Sequence, residues 1–401
     1  HPFPHLKNKQ LYVAALLAKN EEEVLGIVDV PDTVEPVIPL TSKKGAFIRT
    51  ETMIKAHLQE YFGIYEIKQR AVIAVTRNAD ISFDEEKFDE SDEDFRAKMS
   101  KLLKKRDRLA PVRLEMEGFE TALADKLIKR LHLKKRQVFY SRCPLKPSYF
   151  FHLSGFEKDL YYPKFEPRYP DYLLSDAPMW EQVRQRDILL LYPYNSMRPF
   201  LQLLREAAED ASVISIKITL YRLANDSEVA RHLCRAAENG KEVTVLVELR
   251  ARFDEQNNIE WAKRLDTAGC RVLYGMEGFK CHSKICLITR HTKNGYSHIT
   301  QIGTGNYNEK TAALYTDFSL MTANEEIAQD AAEFFKNMLT GNLYGTYHTL
   351  LVAPATMKTT IMEMIDREMA KGSAGKIVIK ANSITERSII DKLSQASQKG
   401  V

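Results

Sequence analysis

Ile214-Ser215-Ile216-Lys217-Ile218-Thr219-Leu220-Tyr221-Arg222 sets β-branched and apolar residues in strand-like order. A helical pattern follows over 227–238, and Gly240 ends it. The same texture extends in both directions. Residues 188–192 read as a strand and 197–208 as an amphipathic helix. Downstream come a strand at 243–248, a helix at 258–268, and strands at 271–274, 281–289 and 298–302. From Asp187 onward this order predicts a largely parallel α/β sheet with helices on both faces.

Residues 1–168 read differently, as an α+β unit. An apolar run covers 11–17, and 72–76 is β-branched and strand-like. Residues 50–62 look helical, with Ile54, His57, Leu58 and Tyr61 on one face. An acidic stretch at 84–94 meets a basic one at 96–108. The plain reading is a solvated helix with segregated charges, and the functional one is a partner-docking arm. The basic cluster 126–136 has Leu127, Ile128 and Leu131 as a helical face, which makes it surface rather than site. Residues 161–178 hold four prolines and cannot be regular helix, so a domain boundary is placed there.

Bulk properties exclude several classes. The 401 residues suffice for two or three domains. Hydrophobic content of 44% and charged content of 28% suit a globular protein. No run approaches the roughly 18–20 apolar residues of a membrane helix. His1-Pro2-Phe3-Pro4-His5 lacks the cationic start and apolar core of a secretory signal. A start at His rather than Met is expected of a cut or tagged chain. A net charge of +4 demands no nucleic acid, although local basic stretches could hold a polyanion. The five scattered cysteines form no CxxC pair, which fits a reducing, cytoplasmic setting and argues against structural zinc.

One internal repeat bears on domain organisation. Ile214 to Arg222 leads through a helix to Asn239-Gly240, and Ile377-Val378-Ile379-Lys380-Ala381-Asn382-Ser383 leads through another to Lys399-Gly400. Lysine and glycine stand 23 residues apart in the first copy and 20 in the second. The first copy runs on 42 residues from Gly240 to His282, whereas the second stops at Val401. Equivalent copies would leave the second site segment beyond the chain's end. The competing reading is that any two strand-helix units look alike.

Four His-x-Lys pairs occur, at His5/Lys7, His132/Lys134, His282/Lys284 and His291/Lys293. His5 lies in a proline-bounded terminus, His132 in a helical basic run and His291 in a polar turn. Only His282 falls in an expected strand, where alternation would put Lys280, His282 and Lys284 on one face. Such a face makes poor core and a good phosphate site, with lysine as point charge and histidine as nucleophile. Gln301-Ile302-Gly303-Thr304-Gly305-Asn306 follows the next strand. Its glycines allow close backbone approach, and Asn306 can donate to an oxyanion. Arg222 and Arg252 sit at further strand ends, where open α/β sheets bind ligands. They can grip phosphate oxygens, or else pair with neighbours such as Asp254 or Glu255.

With these residues in place, the stretch from Asp187 to Asp317 resembles bacterial polyphosphate kinases. The carrying motifs are Leu191-Tyr192-Pro193-Tyr194, Ile216 to Arg222, Val247 to Glu255, Gly278 to Lys284, and Gly303 to Asp317. A looser resemblance covers the whole chain. It implies a head domain at 1–168, a first phospholipase-D-like catalytic domain at 169–349, and the start of a second, truncated α/β catalytic domain at 350–401.

The resemblance further implies reversible transfer of the ATP terminal phosphate to inorganic polyphosphate through a phosphohistidine. His282 matches that histidine, with Lys284 and Asn306 beside it as catalytic residues. Arg222 and Arg252 match positions the family assigns to Mg²⁺. A guanidinium has no lone pair for a metal, so contact with phosphate oxygens is the expected role. Tyr315 matches a nucleotide-contacting tyrosine. Implied too are ATP and ADP as ligands, a homo-oligomer (dimer or tetramer), cytoplasmic location and peripheral membrane association of the parent.

A second, acid-base histidine is expected in the remainder of the second catalytic domain, and the chain alone is expected to be inactive. The phospholipase pattern carries an aspartate six residues after its lysine, and here that position is Arg290. This disfavours the rival reading of a phospholipase-D-like phosphodiesterase. The other rival is a non-catalytic polyphosphate-binding or assembly module.

Overall fold

The computed structural model describes residues 3–20, 22–41, 43–78, 109–153, 160–163, 165–248, 255–276 and 279–401. The charged stretch 84–108, Arg252 and Gly278 lie outside them. The chain divides into two compact units, His1–Lys164 and Phe165–Val401.

In the first unit, strands β1 (Leu11–Lys19) and β2 (Glu22–Asp29) are followed by the short pair β3 (Val37–Pro39) and β4 (Phe47–Arg49). Helices α1 (Thr50–Ala56) and α2 (Leu58–Phe62) lead to β5 (Glu66–Arg77). Then come β6 (Pro111–Glu117), α3 (Thr121–Leu131) and β7 (Val138–Ser141). The main sheet runs in the order β2-β1-β5-β6-β7. The apolar run 11–17 becomes β1, and it lacks polar alternation because both its faces are covered. Tyr12, Ala14 and Leu16 pack with Leu123 and Leu127 of α3. Val13, Ala15 and Leu17 pack with Ile54 and Leu58.

The expected single helix over 50–62 is two helices. His57 leaves the helical region at φ −98°, ψ 18°. The break turns the expected face, so Ile54 and Leu58 go inward while Tyr61 stays exposed. His132 ends α3 in the left-handed conformation, on the surface.

The second unit carries α4 (Met179–Gln185), β8 (Ile188–Tyr192), α5 (Arg198–Glu209), β9 (Val213–Leu220), α6 (Glu228–Glu238), β10 (Glu242–Val247), α7 (Glu255–Thr267) and β11 (Arg271–Leu273). There follow β12 (Ile285–Thr292), β13 (Gly295–Gly303), α8 (Glu309–Ala312), β14 (Asp317–Thr322), α9 (Glu325–Thr340), α10 (Met357–Met369) and α11 (Arg387–Gln398). One seven-stranded sheet runs β11-β10-β9-β12-β13-β14-β8. Alternation along β12 divides its neighbours. Ile285 and Leu287 pack against Phe334 and Phe335 of α9, and Cys286 and Ile288 face the other layer.

The expected largely parallel sheet is mixed. Only β9, β10 and β11 pair in parallel. β12 is antiparallel to both β9 and β13, β13 to β14, and β14 to β8. The β12–β13 pair follows from the link from Thr292 to Gly295, where Gly295 has φ 100°. So short a turn can join only antiparallel strands. As a result, the carboxyl ends of β8, β9, β10 and β13 share one edge with the amino ends of β12 and β14. Near the other end of β12, the Arg290 guanidinium lies 3.9 Å from the Trp180 ring centroid and pairs with Asp210.

The second repeat copy forms only its helix. Residues 376–382 make no strand, because no described strand lies alongside to share a ladder, and Val378 is 82% exposed. The helix itself is seated, with Ala396 of α11 against Ile365 and Met369 of α10.

These packing differences predict a contrast. Phe335→Ala should lower stability by about 3–5 kcal/mol. Val378→Ser should change it by less than about 0.5 kcal/mol. Urea midpoints of the two variants check both expectations.

Candidate functional site

The shared edge of the seven-stranded sheet gathers the chemistry. β9 ends in Thr219-Leu220-Tyr221-Arg222, β10 ends at Glu248, and β13 runs into Gly303-Thr304-Gly305-Asn306. β14 begins with Asp317, and the segment entering β12 carries His282 and Lys284.

The sequence places His282 within a strand, but β12 begins only at Ile285. The Thr219 side chain supplies the reason. Its hydroxyl donates to the Ser283 carbonyl at 2.7 Å and accepts the Ile285 N–H at 3.2 Å. One buried side chain thereby takes two main-chain groups that would otherwise seek a ladder partner. The rest of the segment is held in the same manner. Glu248, 2% exposed, accepts the Cys281 N–H at 3.0 Å. Lys284 turns back to donate to the His282 carbonyl at 2.5 Å. The Lys284 carbonyl meets a main-chain donor, Gly303 N–H, at 2.9 Å.

The expected common face of Lys280, His282 and Lys284 is therefore not formed. Lys280 and His282 are solvent-exposed, whereas Lys284 is 5% exposed. The His282 ring meets Tyr221 edge-on, with centroids 4.7 Å apart, and the Lys284 ammonium stands 5.1 Å from the same Tyr221 ring. Partial desolvation of the ring against Tyr221, then the charges of Lys284 and Arg222, push the His282 pKa below its ordinary value of 6.5 and favour the neutral ring at pH 7. Burial, with Arg222 adding, pulls Lys284 down to about 8, against the opposing pull of Cys281 and Asp317. The edge thus offers an electron pair on an imidazole between two cations, an arrangement suited to phosphate chemistry.

On the neighbouring turn, Thr304 donates to Asp317 Oδ1 at 2.8 Å and accepts the Phe318 N–H at 3.0 Å. Gly305 is required by space, since an added Cβ would stand 2.7 Å from Asp317 Oδ2. Asn306 presents an amide oxygen that is buried without a hydrogen-bond partner among the described residues. Tyr315 stands exposed on the loop between α8 and β14. A cavity of about 490 Å³ opens beside His282 and Lys284, with Met276, Phe334, Met338 and Leu350 as an apolar wall.

Models of the polyphosphate kinase middle domain, C-terminal domain 1 and C-terminal domain 2 match residues 1–153, 178–343 and 350–401 in succession. The chain belongs to the polyphosphate kinase family. It is 38% identical over 414 residues to the polyphosphate kinase of Staphylococcus haemolyticus, covering 100% of this chain and 56% of that protein. The Halalkalibacterium halodurans polyphosphate kinase is 39% identical over 414 residues, with 100% and 58% covered. The crystal structure of polyphosphate kinase from Porphyromonas gingivalis superposes with a TM-score of 0.76 at 29% identity, covering 99% of this chain and 59% of that one. The chain thus spans a little over half the length of these polyphosphate kinases.

Of the residues singled out in the sequence, His282, Lys284 and Arg222 come together, and Asn306 lies on the adjoining turn. Tyr315 shares the edge, and Arg252 lies outside the described residues. Three residues escaped sequence reasoning as individuals: Thr219, Glu248 and Asp317. A polar residue closing an otherwise apolar strand is the signal that could have found the first two.

Removing one neighbouring cation should show in the imidazole itself. In Lys284→Met the His282 titration midpoint rises, followed by NMR of carbon-labelled histidine. An unmoved midpoint would mean that the lysine charge does not act on the ring.

Proposed function

We propose that this chain carries the phosphoryl-accepting half of a polyphosphate kinase site, with His282 as nucleophile. The observation that carries this reading is the His282 imidazole held against Tyr221 at the edge where Lys284 and Arg222 gather. In the proposed reaction the ring nitrogen attacks the γ-phosphorus of ATP. The N–P bond forms as the bridging P–O bond breaks, and its electron pair leaves with ADP. An oxygen at the end of a polyphosphate chain then attacks the phosphohistidine, breaking the N–P bond and returning the pair to the ring. Lys284 and Arg222 balance charge on the transferring group. Asn306, with its amide turned, donates to a phosphate oxygen. Arg252 and Tyr315 contact the nucleotide.

Arg222 does not fit magnesium as a direct ligand. Arginine has no lone pair to give, and no group of three or more His, Cys, Asp or Glu among the described residues could hold a metal. We therefore assign Arg222 to phosphate oxygens and place any Mg²⁺ on the ATP as part of the substrate.

The division into a head domain (1–168), a first catalytic domain (169–349) and the start of a second (350–401) belongs to the same proposal. So do a homo-oligomeric parent and a cytoplasmic site of action. The proposed membrane association is peripheral, and no helix among the described residues is long and apolar enough to cross a membrane.

Radiolabelled ATP tests the reading in the full-length protein. Label should appear on His282 and vanish in His282→Asn, while Lys284→Met should slow uptake by about 10²–10³-fold. A full-length protein that makes polyphosphate with no label on His282 sinks the proposal.

Uptake should also depend on pH in a bell. It falls toward acid as His282 takes a proton at a midpoint below 6.5. It falls toward alkali as Lys284 loses its charge through about pH 8. A flat profile between pH 5 and 9 would remove both groups from the reaction.

A further inference from the structure

We infer that Thr219 and Glu248 are positioning residues that hold the His282 segment off the sheet in the one geometry from which the imidazole can act. The inference rests on the reading of His282 as nucleophile. It adds two residues to which no role in that reaction has been given.

The registers of β9, β10 and β12 carry the argument. β9 and β12 pair antiparallel with Cys286 opposite Ile218 and Leu287 opposite Lys217. Continued outward, that register would place Ile285 opposite Thr219, Ser283 opposite Tyr221 and His282 opposite Arg222. A regular ladder would then put His282 and Arg222 side by side on one pleat, with Cβ atoms about 4.5–5.5 Å apart. The imidazole would project from the sheet face with a guanidinium directly alongside it.

The ladder does not continue, because Thr219 intervenes. Its hydroxyl bridges Ser283 O and Ile285 N, so these groups are satisfied by a side chain rather than by strand pairing. Thr219 is 2% exposed and β-branched, and its χ1 is restricted. It can therefore act as a fixed wedge. Glu248 sits one strand further over, at the end of β10, and fixes the other side of His282 by accepting Cys281 N–H. Its own backbone is anchored, with its N–H on Leu220 O at 2.9 Å and its carbonyl accepting Asn258 Nδ2 at 2.9 Å.

His282 is thus bracketed by Cys281 pinned to β10 and Ser283 pinned to β9. Two points on different strands determine both the height and the tilt of the residue between them. In-line attack needs such control, since a misplacement of about 1 Å can cost about 100-fold in rate. Asparagine or serine at 219 would lack the β-branch, and valine would keep the shape while losing the hydroxyl.

The test uses Thr219→Val, Thr219→Ser and Glu248→Gln. Hydrogen exchange at Ile285 and NMR of labelled His282 are read in the 401-residue chain. Label uptake is read in the full-length protein. In Thr219→Val, Ile285 N–H should exchange about tenfold faster. Its His282 signal should split or broaden, and label uptake should fall about 100-fold with the KM for ATP unchanged. Thr219→Ser should restore uptake to within about threefold, as a merely space-filling role would not require.

Glu248→Gln keeps an acceptor for Cys281 N–H and should leave the His282 signal single, whereas Glu248→Leu should not. Native exchange and a native His282 signal in Thr219→Val overturn the inference. If Thr219→Val fails to fold, the Glu248 pair decides: a single, native His282 signal in Glu248→Leu overturns it. A wild-type protein that takes no label overturns the reading of His282 as nucleophile. The NMR and exchange results would still report whether Thr219 and Glu248 position the residue.

Discussion

Pairing changes direction across β9, which runs parallel to β10 on one side and antiparallel to β12 on the other. That change decides which ends of which strands meet. A fully parallel sheet would send the segment before β12 to the opposite edge from Arg222 and Glu248. The mixed sheet brings it beside them. The short turn between β12 and β13 then returns β13 to the same edge with the turn that carries Asn306.

At that edge, main-chain hydrogen bonding passes from ladder to side chain. Thr219, Glu248 and Lys284 each take a backbone group of the segment 281–285. Buried polar groups must find partners, and here the partners also carry or position charge. Lys284 shows the coupling most clearly. It is buried against Tyr221 and bound to the His282 carbonyl, and burial weakens its hold on a proton. Its charge and that of Arg222 then act on an imidazole that burial has already made reluctant to ionise. The same two cations add to the effect of desolvation on the ring.

Much of this was legible beforehand. Strand and helix alternation from Asp187 and the core strand β1 follow from residue pattern, whereas the preference for His282 over the other His-x-Lys histidines rested on a strand that the structure gives instead to His291, within β12. Sheet direction did not follow, because β12 has an apolar run like that of a parallel strand. The end of the strand at Ile285 was hidden as well. Nothing in Cys281-His282-Ser283-Lys284 disfavours extended pairing, and the interruption comes from a threonine 63 residues earlier. The break at His57 and the unpaired segment 376–382 have the same cause, since each depends on what lies alongside rather than on local preference.

Residue order alone sets the chemical inventory: an imidazole, a lysine two residues on, an arginine at a strand end and a glycine-framed asparagine. It also sets the periodicities that make strands and helices, because those depend on short-range sterics and on which side chains avoid water. The folded arrangement is what takes His282 out of the sheet, buries Lys284 but not Lys280, and holds the segment between Thr219 and Glu248. Those outcomes depend on hydrogen bonds between residues far apart in the chain, and such bonds exist only once the strands have chosen their neighbours and their directions.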